Sequence, residues 1–372
     1  MIEKYIQIHS GKGFRRLTVR PFGFVEGNAT YLFQLSNKTG MQVNILNYGA
    51  IIQSILTPDK CGNMGNVVLG YDNIDAYIND PYYIGGIVGR YAGRIDNGQF
   101  YLNNQMYNVT VKPGGFHHHG GEKGFNKMIW DASPFETETT AGVTLFYMSK
   151  DGEEGFPGNL SVWATYTLSD DNSLQVSYKA STDKTTVHNL TQHSYFNLTG
   201  LANESILAHR LQLRSKTVLP VNGKIIPTGE HADVSDTVFD FGSFHPIGER
   251  INRYHPQLDY ADGYDHTYVL KNLNSSALLE AATVNEPNSG RQLEVFTTEP
   301  TLHFYTGNYL GQDEYENTKP SGFLRRSAFC LETQHAGDCP NRPEFPTVVL
   351  NPGEMFSSIT VFKFSVMQND VL

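Results

Sequence analysis

Apolar and polar residues alternate with a period of two along much of this chain. The clearest example lies in residues 160–168 and 174–180, where every second position is apolar and residues 170–172 between them are turn formers. Because successive side chains of a strand point to opposite faces, this spacing places the apolar residues of each segment on one face. We therefore predict a β-hairpin over the two segments.

A shorter hairpin is predicted around Asn103 and Asn104, because asparagine tolerates the positive φ of a two-residue turn. It joins the strand-like segments 99–102 and 105–109. A single helical turn is predicted at residues 74–78, ahead of an Asp-Pro pair. Further strand-like patterns, separated by Pro, Gly and Asn clusters, occur in these segments: 16–57, 211–218, 267–270, 293–297, 302–305 and 358–366.

The composition supports the same fold class. The 372 residues include 35 Gly, 17 Pro, 21 Tyr and 22 Phe, and 18% of the chain is charged. Turn formers and strand-favouring aromatic residues in this proportion suit many strands joined by tight turns, so we expect an all-β protein. The sequence contains no recognisable linker and no short internal repeat, which disfavours a propeller or solenoid. We expect one domain over residues 1–372.

Charge and cysteine content exclude several function classes. The formal net charge is -10 and no Lys/Arg block occurs, so we expect no nucleic-acid partner. No apolar run has the length of a signal peptide or a membrane span, so we expect a cytoplasmic protein without a membrane partner. Cys61, Cys330 and Cys339 are too few and too unevenly spaced for a disulfide framework, and are interpreted as free thiols.

Two segments carry candidate acid–base chemistry. His193 lies in residues 191–200, which have the pattern of a strand entering a turn, and Glu332 lies on an otherwise apolar strand at residues 329–334. An imidazole with an ordinary pKa near ~6.5 can give or take a proton at neutral pH. The alternatives are a core histidine satisfied by backbone groups and a strand carboxylate paired with an arginine.

Six segments, in order, resemble the aldose 1-epimerase (galactose mutarotase) family. The resemblance extends from about residue 47 to residue 363. It implies a large antiparallel β-sandwich, the galactose mutarotase-like supersandwich, which agrees with the strand patterns. The six segments are 89–95 (GRYAGRI), 119–121 (HGG), 191–200 (TQHSYFNLTG), 263–266 (GYDH), 300–308 (PTLHFYTGN) and 329–334 (FCLETQ).

The resemblance implies an isomerase that interconverts the α and β anomers of free aldohexoses such as galactose and glucose. In this family's pattern, Glu332 resembles the general base on O1 and His193 the general acid on the ring oxygen. Opening a cyclic hemiacetal needs one base and one acid, so no cofactor and no metal is expected. The expected partner is a monosaccharide, and a monomer and a homodimer both remain open.

Further residues are implied to bind the sugar. The resemblance places His119 beside the ring oxygen, Arg94 as a donor to hydroxyls and Asp265 as an acceptor from them. The alternative for Arg94 and Asp265 is that each forms a surface salt bridge, the commoner case for an isolated charge. Tyr195 is a pocket candidate because it lies two residues from His193.

Two other positions are less uniform in the family. His303 occupies a position that varies among relatives, so its contact with the sugar stays open. Gly93 stands where some relatives have Asn, so a contact through that side chain is absent from this chain.

Three other functions are weighed against this interpretation. The tandem histidines 117–119 suggest a metal site, but consecutive strand residues point to opposite faces and cannot all converge. A hexose-phosphate epimerase would need cationic residues beyond Arg94 and Arg90 to bind the phosphate. A non-catalytic sugar-binding β-sandwich is disfavoured because Glu332 and His193 are both present.

Overall fold

The computed structural model describes residues 16–270, 277–312 and 322–367. Every ladder between its named strands is antiparallel, and within these ranges the α-helices are the short α1 (Ile74–Ile78) and α2 (Pro256–Ala261). None of the helices in the described ranges has the length and apolar character needed to cross a membrane. The strands are β1 (Leu17–Val25), β2 (Asn28–Ser36), β3 (Gln42–Leu46), β4 (Ile52–Pro58), β5 (Met64–Asn66), β6 (Ile87–Val88), β7 (Arg94–Asp96), β8 (Gln99–Leu102), β9 (Gln105–Asn108), β10 (Phe116–His118), β11 (Asp131–Glu136), β12 (Thr140–Ser149), β13 (Leu160–Ser169), β14 (Ser173–Thr182), β15 (Thr186–Val187), β16 (Thr191–Gln192), β17 (Arg210–Leu213), β18 (Thr217–Leu219), β19 (Ala232–Asp233), β20 (His245–Pro246), β21 (Asp265–Val269), β22 (Leu279–Asn285), β23 (Arg291–Thr297), β24 (Thr301–Tyr305), β25 (Cys330–Gln334), β26 (Val349–Leu350) and β27 (Phe356–Val366).

Three sheets share one hydrophobic core. The largest has nine strands in the order β11-β12-β13-β14-β27-β23-β22-β17-β20, and the others are the five-stranded sheets β1-β2-β3-β4-β5 and β19-β18-β21-β24-β25. Phe33, Val162 and Leu302 come from the three different sheets and belong to the same buried cluster. This layered arrangement confirms the predicted all-β class and antiparallel β-sandwich.

Both predicted hairpins are confirmed. In β13 and β14, positions alternate between fully buried and partly exposed along the strands, as the period of two requires. In the shorter hairpin, β8 pairs with β9, and Asn103 and Asn104 have φ values of 51° and 61°, the positive pair that a type I′ turn needs.

The predicted helical turn is confirmed as α1, which Asn73 caps by accepting a hydrogen bond from the Ala76 N–H. Helix α2 was not predicted, although Pro256 at its first turn is a typical start signal.

Two strand systems meet where the candidate residues lie. Cross-strand register in the third sheet pairs Thr267 with His303 and His303 with Glu332, so these side chains form a row on one face of β21, β24 and β25. The short strand β16 lies beside β25, and the Thr191 hydroxyl donates to the Thr333 carbonyl at 3.1 Å. His193 directly follows β16, and its N–H donates to the Gly86 carbonyl at 2.9 Å.

Candidate active site

His193 and Glu332 meet in the interior of the protein. Their side chains are 5% and 2% exposed, and His193 Nε2 lies 3.7 Å from Glu332 Oε1. Neither alternative interpretation holds, since no backbone group satisfies the His193 ring and no arginine pairs with Glu332 among the residues described. Glu332 Oε2 is buried without a hydrogen-bond partner in the described part of the chain. The two groups are therefore adjacent, yet too far apart for a direct hydrogen bond.

The other side of the His193 ring contacts Cys330. The Cys330 Sγ lies 3.6 Å from His193 Nδ1. Burial, together with the charges of Glu332 and Asp265, raises the pKa of the Cys330 thiol well above its ordinary value. The group beside His193 is thus a neutral thiol, which can both donate and accept weakly.

His119 lies beside His193, with a ring-centroid distance of 5.4 Å. The Gly93 N–H donates to His119 Nδ1 at 3.2 Å, so the neutral ring carries its proton on Nε2. Burial, and then the neighbouring His118, hold the pKa of His119 well below its ordinary value. His119 is therefore neutral, with its N–H group at Nε2.

The chain can reach this conformation because glycine follows His119. His119 has a φ of 47°, and Gly120 and Gly121 have φ values of 88° and 89°. A Cβ atom on Gly120 would lie 1.9 Å from the Gly89 carbonyl oxygen, so only glycine fits at that position.

The histidines of segment 117–119 diverge in part. His117 turns away, with Nδ1 2.9 Å from the Thr110 carbonyl, and burial lowers its pKa to about 4. The ring centroids of His118 and His119 lie 3.9 Å apart. The expectation that the three cannot all converge is thus confirmed, but two of them do come together because the positive φ of His119 ends the alternation of β10.

A metal could in principle be coordinated by His119, His193 and Glu332, whose ligand atoms all lie within 4.8 Å of one another. A histidine that binds a metal through Nε2 must carry its proton on Nδ1, and it usually donates that proton to an acceptor. His119 has the opposite arrangement, since the Gly93 N–H occupies Nδ1. This hydrogen bond favours the tautomer that donates into the site and disfavours a resident metal.

Asp265, His303 and Arg94 form a second, charged group beside the first. His303 Nε2 donates to Asp265 Oδ1 at 2.6 Å, and Arg94 Nη2 lies 3.7 Å from Asp265 Oδ2. The Asp265 and Arg94 side chains are only 9% and 14% exposed. The surface-salt-bridge alternative is therefore wrong, because the two charges pair with each other in a mostly buried position.

The protonation states of this group follow from its contacts. Burial alone would raise the pKa of Asp265, but the hydrogen bond from His303 and the charge of Arg94 hold it well below its ordinary value. Burial alone would lower the pKa of His303, but Asp265 raises it above its ordinary value. His303 Nδ1 lies 2.9 Å from Thr267 Oγ1, an acceptor that suits the charged imidazolium.

Arg90 does not join Arg94 in the site. Its guanidinium is buried and hydrogen-bonds to groups of Ser149, Pro157 and Gly158, and burial lowers its pKa to about 10. The cation cluster that a hexose-phosphate epimerase would need therefore does not form around Arg90.

Tyr195 lies behind His193 rather than beside it. The two rings stack with centroids 4.9 Å apart at an interplanar angle of 17°, and the Tyr195 hydroxyl donates to the Tyr82 carbonyl at 3.0 Å. Contact of Tyr195 with a sugar stays a prediction, and its observed contacts are with the back of the histidine.

Sequence reasoning missed two neighbours of the site, Thr267 and Tyr83. Thr267 begins the predicted strand 267–270; the observed strand begins two positions earlier, at Asp265, and this places Thr267 and Asp265 on the same face. Tyr83, whose ring lies 4.9 Å from that of His119, had no such signal.

Comparison with known proteins gives a consistent result. A family model described as aldose 1-epimerase matches residues 31–363. The chain is 40% identical to galactose mutarotase from Bos taurus over 334 residues, which cover 90% of this chain and 94% of that protein. It is 33% identical to aldose 1-epimerase from Escherichia coli K12 over 341 residues, which cover 91% and 96%. The crystal structure of a galactose 1-epimerase from Lactobacillus acidophilus NCFM matches with a TM-score of 0.83 at 28% identity, covering 95% of this chain and 99% of that one. This chain belongs to the aldose 1-epimerase family, the isomerases that interconvert the α and β anomers of aldoses.

Proposed function

We propose that this enzyme interconverts the anomers of free galactose and glucose, with Glu332 as general base and His193 as general acid. The observation that carries the proposal is the 3.7 Å separation of His193 Nε2 and Glu332 Oε1 in a buried site. The two oxygens that exchange protons in this reaction, O1 and the ring oxygen O5, are bound to the same carbon. The acid and the base must therefore lie side by side, close enough to reach both oxygens without neutralising each other.

Ring opening moves one proton to the enzyme and one to the sugar. Glu332 takes the proton of the O1 hydroxyl as the C1–O1 bond becomes a carbonyl. The C1–O5 bond breaks, its electron pair goes to O5, and O5 takes a proton from the protonated His193 ring. The product is the open-chain aldehyde, with Glu332 protonated and His193 neutral.

Ring closure reverses these roles on the other face of the aldehyde. Rotation about the C1–C2 bond turns the opposite face of C1 toward the O5 hydroxyl. His193 removes the O5 proton as O5 attacks C1, and Glu332 returns a proton to O1. Both residues end in their starting states. The weak contact of His193 Nδ1 with the Cys330 thiol suits this cycle, because a thiol can face either state of the ring.

The remaining residues orient the sugar. The Nε2–H of neutral His119 donates to O5 and steadies the charge that develops there. Arg94 donates to hydroxyls remote from C1, and the Asp265 carboxylate, which His303 holds in place, accepts from another pair. These groups hold C1 against the acid and the base, and such positioning is worth a large factor in rate.

Polarimetry on freshly dissolved α-galactose and α-glucose tests the proposal. Added enzyme should speed the approach to the equilibrium rotation for both sugars, above the spontaneous rate in the same buffer. Methyl α-galactoside is the matched control ligand, because it has no O1 proton to remove; it should slow the enzyme competitively and show no change of rotation itself. An unchanged relaxation rate for both sugars at micromolar enzyme would contradict the proposal.

A further inference from the structure

Tyr83 packs against the histidine side of the site. Its ring centroid lies 4.9 Å from that of His119 at an angle of 62°, 6.1 Å from that of His193 at 18°, and 5.9 Å from that of His118 at 84°. Edge-to-face and offset-stacked rings at such distances attract each other in specific orientations. One tyrosine thus contacts the proposed acid, the proposed N–H donor and the histidine behind that donor.

The backbone of Tyr83 is in an unfavourable conformation. Its φ is 60°, a left-handed conformation that large side chains rarely adopt. Such residues persist only where the surroundings fix them, and they concentrate at functional sites. The conformation aims the ring at the histidines, and a right-handed or extended backbone at this position would direct it elsewhere.

The surroundings fix this turn from both sides. The buried Asp80 carboxylate accepts the N–H groups of Tyr82 at 3.1 Å and Ile84 at 2.7 Å, the two neighbours of Tyr83. The Tyr83 carbonyl accepts from the Gly86 N–H at 3.1 Å. Asp80 is itself approached by Lys127, whose Nζ donates to the Asp80 carbonyl at 2.7 Å. A network outside the site thus maintains the turn.

We propose that Tyr83 is a positioning residue, whose ring holds the imidazoles of His119 and His193 with their Nε2 atoms directed at the ring oxygen of the sugar. This inference rests on the proposed function of the two histidines. It differs from a sugar-binding role, because the hydroxyl contacts of the substrate come from Arg94 and Asp265. Loss of the ring should therefore slow turnover and leave substrate affinity nearly unchanged.

The test compares Tyr83→Asn with Tyr83→Phe. Asparagine accepts a positive φ, so Tyr83→Asn removes the ring while keeping the turn. We expect its kcat to fall by about 10- to 100-fold with KM changed by less than about threefold, because small misplacement of a reacting group costs on the order of a hundredfold. Tyr83→Phe keeps the ring and should stay within about threefold of wild type, since the ring contacts are unchanged.

A second measurement separates positioning from a structural role. Burial keeps the pKa of His119 low, so removing the Tyr83 ring should let it rise toward the ordinary value near ~6.5. An NMR titration of the ¹⁵N-labelled histidines reports this directly. Tyr82→Phe is the matched control, because it removes only the hydroxyl of the adjacent tyrosine, which lies 3.5 Å from the Gln312 carbonyl; it should change neither kcat nor the His119 titration.

The outcomes distinguish this inference from the proposed function. If the wild-type enzyme does not speed mutarotation, the proposed function fails and the inference fails with it. If wild type is active but Tyr83→Asn, folded by circular dichroism, keeps its kcat and its His119 titration, only the positioning role is overturned. A rise in KM with unchanged kcat would also overturn it, because that pattern indicates uniform sugar binding.

Discussion

The substitution Glu332→Gln is expected to reduce catalysis without reducing the stability of the fold. The change keeps the shape of the side chain and removes the carboxylate that we propose takes the O1 proton. A positioned base typically contributes a factor of about 10² to 10⁴, so we expect kcat/KM to fall at least about a hundredfold, or about 2.7 kcal/mol of transition-state stabilisation. The loss should appear mainly in kcat, because the proposed sugar-binding residues Arg94, Asp265 and His119 are unchanged.

The structure predicts that the same change does not harm the fold. Glu332 is 1% exposed, and Oε2 has no hydrogen-bond partner within the ranges that the structure describes. A buried polar atom without a partner costs about 1–3 kcal/mol, and a neutral amide is easier to bury than a carboxylate. A gain of about 1 kcal/mol would raise the melting temperature by roughly 2 °C in a chain of this size.

Coupling between the acid and the base gives a quantitative check. His193→Asn should also cut kcat/KM about a hundredfold. If the two residues acted independently, the double variant would lose about 10⁴-fold, whereas groups that act as a unit lose little more than either single change. The 3.7 Å separation leads us to expect the second result, close to 10²-fold.

Polarimetry with fresh α-galactose gives the rates, after subtraction of the spontaneous reaction, and circular dichroism with thermal melting monitors the fold. Wild-type-like turnover in Glu332→Gln would refute its role as the base. A large fall in melting temperature would refute the view that the carboxylate is held at a cost to stability.

Other predictions concern the second charged group and metals. Asp265→Asn should lower both kcat and affinity for galactose while leaving the pH dependence of turnover similar; saturation kinetics like wild type would place Asp265 outside the sugar site. Incubation with EDTA should leave activity unchanged, and a loss restored by zinc would revive the metal interpretation. The depressed pKa of Asp265 stabilises the fold above pH ~4, and this stability is lost as the pH falls through the pKa of Asp265 in the folded state. The raised pKa of His303 stabilises the fold below pH ~6.5, and this stability is lost as the pH rises through the pKa of His303 in the folded state. The melting temperature should therefore be highest between these two pH values. In His303→Gln it should fall less steeply on the alkaline side; an unchanged profile of melting temperature against pH in that variant would contradict the raised pKa of His303.

The strands could be predicted because the geometry of each hairpin is determined by residues close together in the sequence. The alternation over residues 160–168 and the Asn103–Asn104 turn depend only on neighbouring residues, so the structure confirmed them. His193 and Glu332 could be paired as the proposed acid and base only through resemblance to a family, since 139 positions separate them and no local pattern joins them. Their meeting depends on the contact of β16 with β25, through bonds such as that between Thr191 and Thr333.

Other features could not be read from the sequence for physical reasons. The pairing of Arg94 with Asp265 joins two separate sheets, so each appeared alone as an ordinary surface charge. The convergence of His118 with His119 depends on one positive φ at a residue that is not glycine. A prediction from strand periodicity assumes that the backbone is extended throughout, so it fails where a strand ends inside the site.

The site consists of two halves that are held in different ways, and this difference suits the reaction. The carboxylates Asp265 and Glu332 lie on β21 and β25 of one sheet, on either side of β24, and the ladder hydrogen bonds of the three strands fix their spacing. The imidazoles of His119 and His193 follow the ends of short strands, and ring contacts and turns orient them. In the proposed reaction, such a support lets the imidazole of His193 adjust slightly as it gives a proton to O5 during ring opening and takes one back during ring closure. Rotation about the C1–C2 bond moves O1 from one side of C1 to the other while the hydroxyls remote from C1 stay in place, so the rigid support suits the proposed binding role of Asp265.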